Sequence, residues 1–291
     1  MVVTAKDDLT ADLVIRELTR RGGKVHRVDP DDVPHTLKIE SSVGDGEFRL
    51  QDRYRTTHSR EIRAVYWRKP KAPERAEHVA ALFGLLFTLD TPLWVNHPWR
   101  NERASHKPHQ LMRASRCGFN VPATLMTSEK ETAREFIEGA AFRTITKTLR
   151  QQEGAFLPAR FVAPEGLGSG LLLLQQYIEK DFDVRLTAVG EQLFAAKIVA
   201  PPGIPDWRQP PPRELAFEEL RRIPAEIEVG VLSYMKLYGL EYGAFDFAVD
   251  HQGDWWFLEC NPNGQYGFVE YATGMEISRA LAEHLSRAGT A

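Results

Sequence analysis

Residues 242–261 constrain the fold of this chain more than any other stretch. Two apolar runs, "YGAFDFAVD" and "DWWFLECN", are separated only by "HQG". Such runs around a short glycine-containing turn predict an antiparallel hairpin. With a two-residue turn at Gln252-Gly253, Asp246 lies opposite Glu259, and Asn261 shares their face of the sheet.

The two faces of the predicted hairpin differ in chemistry. The core face would hold Phe245, Phe247, Val249, Trp256, Leu258 and Cys260. On the other face, opposed carboxylates repel each other, and burying them unpaired is costly. Oxygen ligands without His or Cys suit Mg²⁺, so this face predicts a magnesium site. The alternatives are a solvated acidic patch or one protonated acid, and a three-residue turn would separate the acids.

Composition excludes several classes of protein. The chain has 291 residues, 43% hydrophobic and 26% charged, which is typical of a globular protein with two or three units. A net charge of -3 argues against a nucleic-acid partner. The two cysteines, Cys117 and Cys260, form neither a disulfide framework nor a CxxC pair. Neither a signal segment nor a membrane-length apolar run is present, so we expect a cytosolic protein.

Periodicity predicts an α/β unit at residues 1–96. Its strands are predicted at 1–4, 24–29 and 62–70, with a hairpin at 36–41 and 47–51 and helices at 9–23 and 73–90, the last with Pro73 near its start. The segment after the first strand, "AKDDLT", lacks the GxGxxG dinucleotide fingerprint.

The remainder is predicted to form a central unit, 97–175, and a C-terminal unit, 176–291. Helices are predicted at 104–118, 128–139, 225–239 and 276–288, and further strands at 121–127, 142–147, 171–178, 183–190 and 192–200. Ser128 and Glu131 have the spacing of a capping box. The proline-rich segment 201–212 is predicted to be a loop.

Basic residues near predicted element ends are candidates for binding phosphate. Lys107 precedes Pro108 at the start of a helix, and Lys147 ends a strand. Lysine acts as a point charge on phosphate oxygens. The strand "QQYI" then runs into an acidic stretch with Arg185, and the backbone of Tyr177 and Ile178 could bind an adenine edge.

Several phrases resemble the ATP-grasp superfamily, and within it the ligases that macrocyclise ribosomal peptides, the graspetide or microviridin-type synthetases. The resemblance is carried by "YWRKP" (66–70), "KPHQLMRASRCGFNVPATLMTS" (107–128), "DVRLTAVGEQLFAAKI" (183–198), "DWRQ" (206–209) and "FLECNPNGQYGFVEYATGMEISRALAEHL" (257–285). It covers nearly the whole chain. It implies an α/β (α+β) ATP-grasp fold that follows an N-terminal pre-ATP-grasp domain.

The resemblance also implies roles for individual residues. Lys107 and Lys147 would hold the phosphates of ATP, Gln176, Tyr177 and Ile178 the adenine, and Asp183 the ribose. Asp246, Glu259 and Asn261 would bind two Mg²⁺ ions. Arg185 and Arg208 would face the γ-phosphate and the acyl-phosphate, and Arg68 would contact the peptide. In "TLRQQEGAF" (148–156), Gly154 stands where many relatives have a glycine-richer phosphate lid.

The implied activity is ATP-dependent macrocyclisation. Asp or Glu side chains of a ribosomal precursor peptide would be phosphorylated and then joined to Thr or Ser hydroxyls or Lys amines, as ω-esters or ω-amides. The resemblance further implies a homo-oligomer. Two other hypotheses remain: a ligase that adds an amino acid to a protein C-terminus, and a non-catalytic peptide-binding module. The complete set of lysines and oxygen ligands argues against the latter.

Overall fold

The computed structural model describes residues 1–42, 44, 46–70, 77–90, 93–149 and 157–288. Its N-terminal unit contains β1 (Val2–Thr4), α1 (Leu9–Arg20), β2 (Arg27–Val28), β3 (Lys38–Ser42), β4 (Glu47–Gln51), β5 (Thr56–His58), β6 (Ala64–Arg68), α2 (Glu77–Phe87) and β7 (Leu93–Val95). The predicted hairpin is confirmed as β3 and β4, which β5 extends. Pro73 lies outside the described residues.

The first sheet of this unit is parallel, in the order β2-β1-β6-β7. The chain passes from β1 outward to β2 on one side and from β6 outward to β7 on the other. The carboxyl ends of β1 and β6 therefore meet where the strand order reverses, which is where open α/β sheets bind ligands. Asp8, just after β1, caps α1 by accepting the N–H groups of Thr10 and Ala11.

The next elements are α3 (Pro98–Ser105), α4 (Lys107–Arg116), β8 (Thr124–Thr127), α5 (Lys130–Glu138), β9 (Thr144–Thr146), β10 (Arg160–Phe161) and β11 (Leu172–Gln176). These four strands form an antiparallel sheet in the order β10-β9-β11-β8. By contrast, α4 packs on the C-terminal sheet. The boundaries of the predicted central unit stay a prediction.

The prediction of one helix over 104–118 was wrong. Pro108 has no N–H to donate to the carbonyl of Ala104, so it is tolerated only in the first turn of a helix. The chain accordingly breaks at His106 between α3 and α4, and the Gln110 side chain donates to the Ala104 carbonyl instead, at 2.5 Å. Lys107 thus becomes the first residue of α4.

The capping box at Ser128 was also wrong. Helix α5 begins after Glu129, whose N–H donates to Thr127 Oγ1 at 3.0 Å. Its end at Gly139 is confirmed. Throughout the described ranges, every helix is too short or too polar to span a lipid bilayer.

The C-terminal elements are β12 (Lys180–Val189), β13 (Gln192–Val199), β14 (Ala216–Glu219), α6 (Ala225–Tyr238), β15 (Tyr242–Asp250), β16 (Trp255–Asn261), α7 (Gly267–Thr273) and α8 (Ile277–Arg287). The strands form an antiparallel sheet in the order β14-β13-β12-β15-β16. One face packs against α4 and α6, and the other against α8 and the N-terminal unit. The polar site lies on this second face.

The β15–β16 hairpin has the predicted pairing of Asp246 with Glu259, but its turn is not the predicted two-residue turn. Its turn has three residues, because Asp250 N–H donates to Asp254 O at 3.1 Å. A β-bulge at Leu258 then restores the register, so that Asp246 lies opposite Glu259. The core assignment of Trp256 and Leu258 was wrong, since the three-residue turn makes Trp255 and Phe257 the buried pair.

Candidate active site

Asp246 is held by an arginine from the neighbouring strand. Arg185 on β12 pairs with Asp246 on β15, and both side chains are 7% exposed. The contact is bidentate, with Nε–Oδ1 at 2.7 Å and Nη2–Oδ2 at 3.1 Å. Burial raises the pKa of Asp246, although Arg185 and then Arg208 oppose this shift. Arg185 thus has its guanidinium committed to a carboxylate.

Glu259 lies opposite Asp246 and is surrounded by basic side chains from three other segments. Arg208 Nη1 contacts Oε1 at 3.1 Å, and Lys107 Nζ lies 3.8 Å from Oε2. Burial favours the neutral acid, but Arg208, Lys107 and Lys147 outweigh it and hold the pKa of Glu259 below its ordinary value. Arg208 and Lys107 therefore lie against Glu259, while the roles that the resemblance implies for them stay predictions.

Lys147 follows β9 and faces the same cluster. Burial lowers the pKa of Lys147 to about 8, against the attraction of Glu259 and with the repulsion of Lys107. Lys107 Nζ in turn donates to the carbonyl of Thr148 at 2.7 Å. The two lysines come from different elements, α4 and the end of β9, and meet at one point. The glycine-poor segment that follows is mostly outside the described residues, at 150–156.

Sequence reasoning missed Asp206, which orients Arg208. Asp206 accepts from Arg208 Nε at 2.8 Å and from Nη2 at 3.0 Å, and from the Ala159 N–H at 3.3 Å. Gln209 Nε2 donates to the Ala159 carbonyl at 2.6 Å. The 201–212 loop thereby joins the central sheet to the acidic cluster. An acid two positions before a candidate arginine in "DWRQ" is the signal that could have identified it.

Gln176, Tyr177 and Ile178 line a cavity of about 660 Å³ between the central and C-terminal sheets. Tyr177 and Ile178 are each 6% exposed, and Trp256 and Arg143 complete part of the wall. The Tyr177 N–H already donates to the Arg143 carbonyl at 2.8 Å. Gln176 is likewise bonded through its N–H to the Ala123 carbonyl at 2.8 Å. The binding of adenine by these residues remains a prediction, and this cavity could accommodate the base.

Asp183 lies deep in the sheet. It is 2% exposed and pairs with Lys180 Nζ at 2.7 Å. Burial raises the pKa of Asp183 to about 6, against the attraction of Lys180. The ribose contact is therefore a prediction that would require Asp183 to exchange this partner.

Arg68 lies in the interior, with a side chain 1% exposed. Its Nη1 donates to the carbonyl of Asn263, and Nε lies 3.3 Å from Asp8 Oδ2. Arg68 thus ties the end of β6 to the loop that follows Asn261. Buried in this way, it presents no guanidinium surface to a peptide.

Gln110 holds the edge of β16 beside Glu259 and Asn261. Its Nε2 donates to the Cys260 carbonyl at 2.7 Å, and its Oε1 accepts the Cys260 N–H at 2.9 Å. The side chain therefore pairs with the backbone of Cys260 as a neighbouring strand would. Cys260 itself points into the core, as predicted.

The fold matches known proteins over the whole chain. Residues 1–97 match the MvdD pre-ATP grasp domain family. Macrocyclase MdnC from Microcystis aeruginosa MRC, solved with precursor peptide MdnA, is 28% identical, with a TM-score of 0.82 and 98% of each chain covered. This chain has the ATP-grasp fold, preceded by a pre-ATP-grasp domain. No curated protein sequence matches it.

Two further solved structures share the ATP-grasp fold. A Chryseobacterium gregarium RiPP-associated ATP-grasp ligase, in complex with ADP and a leader and core peptide, has a TM-score of 0.85 at 22% identity and covers 98% and 96% of the two chains. PsnB, complexed with minimal precursor, Mg and ADP, has a TM-score of 0.80 at 21% identity and covers 99% and 96%. The predicted fold class is confirmed.

The residues present at this site fit a hard cation. Asp246 and Glu259 offer opposed carboxylates, and Asn261 lies beside them on the same strand. Its Oδ1 accepts the Asn263 N–H at 2.9 Å. Among the described residues, no three carboxylate, imidazole or thiol side chains form a metal-binding group by themselves. Asp246 and Glu259 would therefore need further oxygen ligands, which suits Mg²⁺ bound together with phosphates.

Proposed function

We propose that this protein is an ATP-dependent ligase that macrocyclises a ribosomal precursor peptide. The observation that carries the proposal is the convergence of Lys107, Lys147 and Arg208 on Glu259, which lies opposite Asp246. A cationic cluster beside paired carboxylates suits a nucleotide triphosphate with its metal ions. The likeness to MdnC, solved with its precursor peptide, supports a peptide substrate.

The reaction proceeds in two balanced steps. A carboxylate oxygen of an Asp or Glu side chain attacks the γ-phosphorus of ATP, and ADP leaves as an acyl-phosphate forms. A Thr or Ser hydroxyl, or a Lys amine, then attacks the acyl carbon, and phosphate leaves with the displaced proton taken up by base. One water is lost per ring. The product is an ω-ester or an ω-amide.

Each residue of the cluster has a defined task. Lys107 and Lys147 bind phosphate oxygens, while Gln176, Tyr177 and Ile178 border the adenine and Asp183 the ribose. Asp246, Glu259 and Asn261 would hold two Mg²⁺ ions, which supply charge neutralisation for phosphoryl transfer. The side chain of Arg208 is 30% exposed, so it reaches the phosphoryl group more readily than Arg185 at 7%. Arg185 orients the Asp246 carboxylate and opposes the rise of its pKa that burial causes.

The decisive experiment is the intact mass of a Thr- and Asp/Glu-rich peptide encoded beside this gene, after co-expression. Loss of one or more waters with the wild type, but not with Glu259→Gln, establishes cyclising ligation. Glu135→Gln is the matched control, because Glu135 is exposed on α5. A gain in mass instead indicates a ligase that adds amino acids to a C-terminus, and an unchanged mass contradicts the proposal. The cytosolic location and the homo-oligomer remain predictions of the sequence.

A further inference from the structure

Lys69 has an unusual backbone conformation, and it lies where open α/β sheets bind ligands. It directly follows β6, at the carboxyl edge where the order of the N-terminal sheet reverses. Its φ is +42°, and among the described residues it is the sole non-glycine with positive φ. A lysine gains nothing locally from this conformation, which is strained for a residue with a side chain. Its surroundings must therefore impose it.

The neighbours of Lys69 explain how the conformation is held. Arg68 is fixed in the interior by Asn263 and Asp8. Pro70 follows, and a residue before proline is disfavoured in the right-handed α region. Between these two restraints, the side chain of Lys69 is directed out of the sheet and into the cleft that separates the N-terminal unit from the ATP-grasp module.

This cleft is a cavity of about 660 Å³ that Lys69 shares with Lys107, Glu259 and Asn261. The acidic side chains in its wall already have partners. Glu259 is paired with Arg208 and Lys107. Glu102 lies 3.5 Å from His106. Lys69 is accessible to solvent, and its ammonium makes no hydrogen bond or ion pair with any described residue, although partial burial and then the nearby Arg68 lower its pKa to about 8. It is therefore a cation available to a ligand.

We propose that Lys69 binds the carboxylate of the acidic peptide side chain that the enzyme activates. This inference rests on the proposed function and names the residue that selects the acid. Lys69 reaches the cavity from the N-terminal unit, whereas the phosphate-binding lysines belong to the ATP-grasp module. An ammonium opposite Lys107 would bring the carboxylate to the phosphate end of the cleft.

The first test separates peptide recognition from nucleotide binding. Lys69→Met should raise KM for the modified peptide by about tenfold to a hundredfold, the value of one charge-assisted hydrogen bond, while KM for ATP stays unchanged. Lys69→Arg keeps the charge and should restore most of the affinity. Lys130→Met is the matched control, because Lys130 is exposed at the start of α5. An unchanged peptide KM, or a raised ATP KM, overturns the proposal.

A second test does not depend on knowing the natural precursor. The rate of Lys69 acetylation by acetic anhydride is followed by peptide mapping, with Lys130 as the internal reference. The probes are a short Thr- and Glu-containing peptide, its Gln twin, and AMPPNP with Mg²⁺. Selective slowing by the Glu peptide supports the proposal. Protection by nucleotide alone, equal protection by both peptides, or none overturns it.

The two tests also separate this proposal from the proposed function. If co-expression yields no mass change but the Glu peptide protects Lys69, then carboxylate recognition stands and macrocyclisation fails. If rings form equally well with Lys69→Met, macrocyclisation stands and the role of Lys69 fails.

Discussion

Arg185 and Asp246 form a buried bidentate ion pair across β12 and β15, with both nitrogen–oxygen distances at or below 3.1 Å. Neither residue is near the other in sequence, and each is a poor candidate for burial alone. Together they place an oriented carboxylate opposite Glu259, where the proposed metal site requires one.

Arg185→Met should destabilise the fold by about 3–5 kcal/mol, because it leaves the Asp246 carboxylate buried without its partner. Urea unfolding of the variant measures the loss. Arg213→Met is the control, since Arg213 is exposed. The double variant Arg185→Met/Asp246→Leu should recover most of the stability, as an apolar pair replaces the ion pair. A double variant less stable than Arg185→Met would contradict this account.

Lys147→Met should stabilise the protein at pH 7 and weaken nucleotide binding. The folded-state pKa of Lys147, about 8, lies below its unfolded value of 10.5. Above pH 10.5, Lys147 is neutral in both states and its burial costs no stability. Stability is then lost as the pH falls from 10.5 through 8, because the unfolded state binds the proton more tightly. The stability advantage of the variant should shrink as the pH is raised between these values. Denaturant unfolding at several pH values checks the sign, and a pH-independent difference would rule it out.

Gln110→Ala should loosen the edge of β16 that carries Glu259. The variant removes the bonds to both the N–H and the carbonyl of Cys260. Leaving buried backbone groups unpaired costs about 1–3 kcal/mol each, so we expect a loss of at least about 2 kcal/mol. Thermal unfolding measures it, with Gln252→Ala in the exposed turn as the control. Equal melting temperatures for the two variants would show that β16 does not need this clamp.

Arg68→Met should separate the N-terminal unit from the loop after Asn261. The variant removes the bond to Asn263 and leaves the Asp8 carboxylate without its buried cation. We expect a stability loss of about 3 kcal/mol and weaker Mg²⁺-dependent binding of AMPPNP by isothermal titration calorimetry. Arg60→Met is the control, because its side chain is 69% exposed. Full AMPPNP affinity in Arg68→Met would mean that the loop holds its shape without this anchor.

Much of the site was predictable because it depends on local patterns. The hairpin pattern of 242–261 predicted the pairing of Asp246 with Glu259, and the structure has this pairing because a bulge at Leu258 offsets the longer turn. The spacing of apolar residues also located most helices and strands, and Gly239 ended α6 in the left-handed conformation that glycine permits. These features depend on residues close together in the chain.

The remaining features required the tertiary structure, because they depend on contacts between distant segments. No local pattern indicates that a three-residue turn is offset by a bulge at Leu258, or that Asp206 reaches back to Ala159. Arg68 reads as an exposed basic residue in "YWRKP", yet packing buries it and turns Lys69 into the cleft. The sequence alone determined which groups could meet. The packing of the sheets decided which of them pair with one another and which remain available to a ligand.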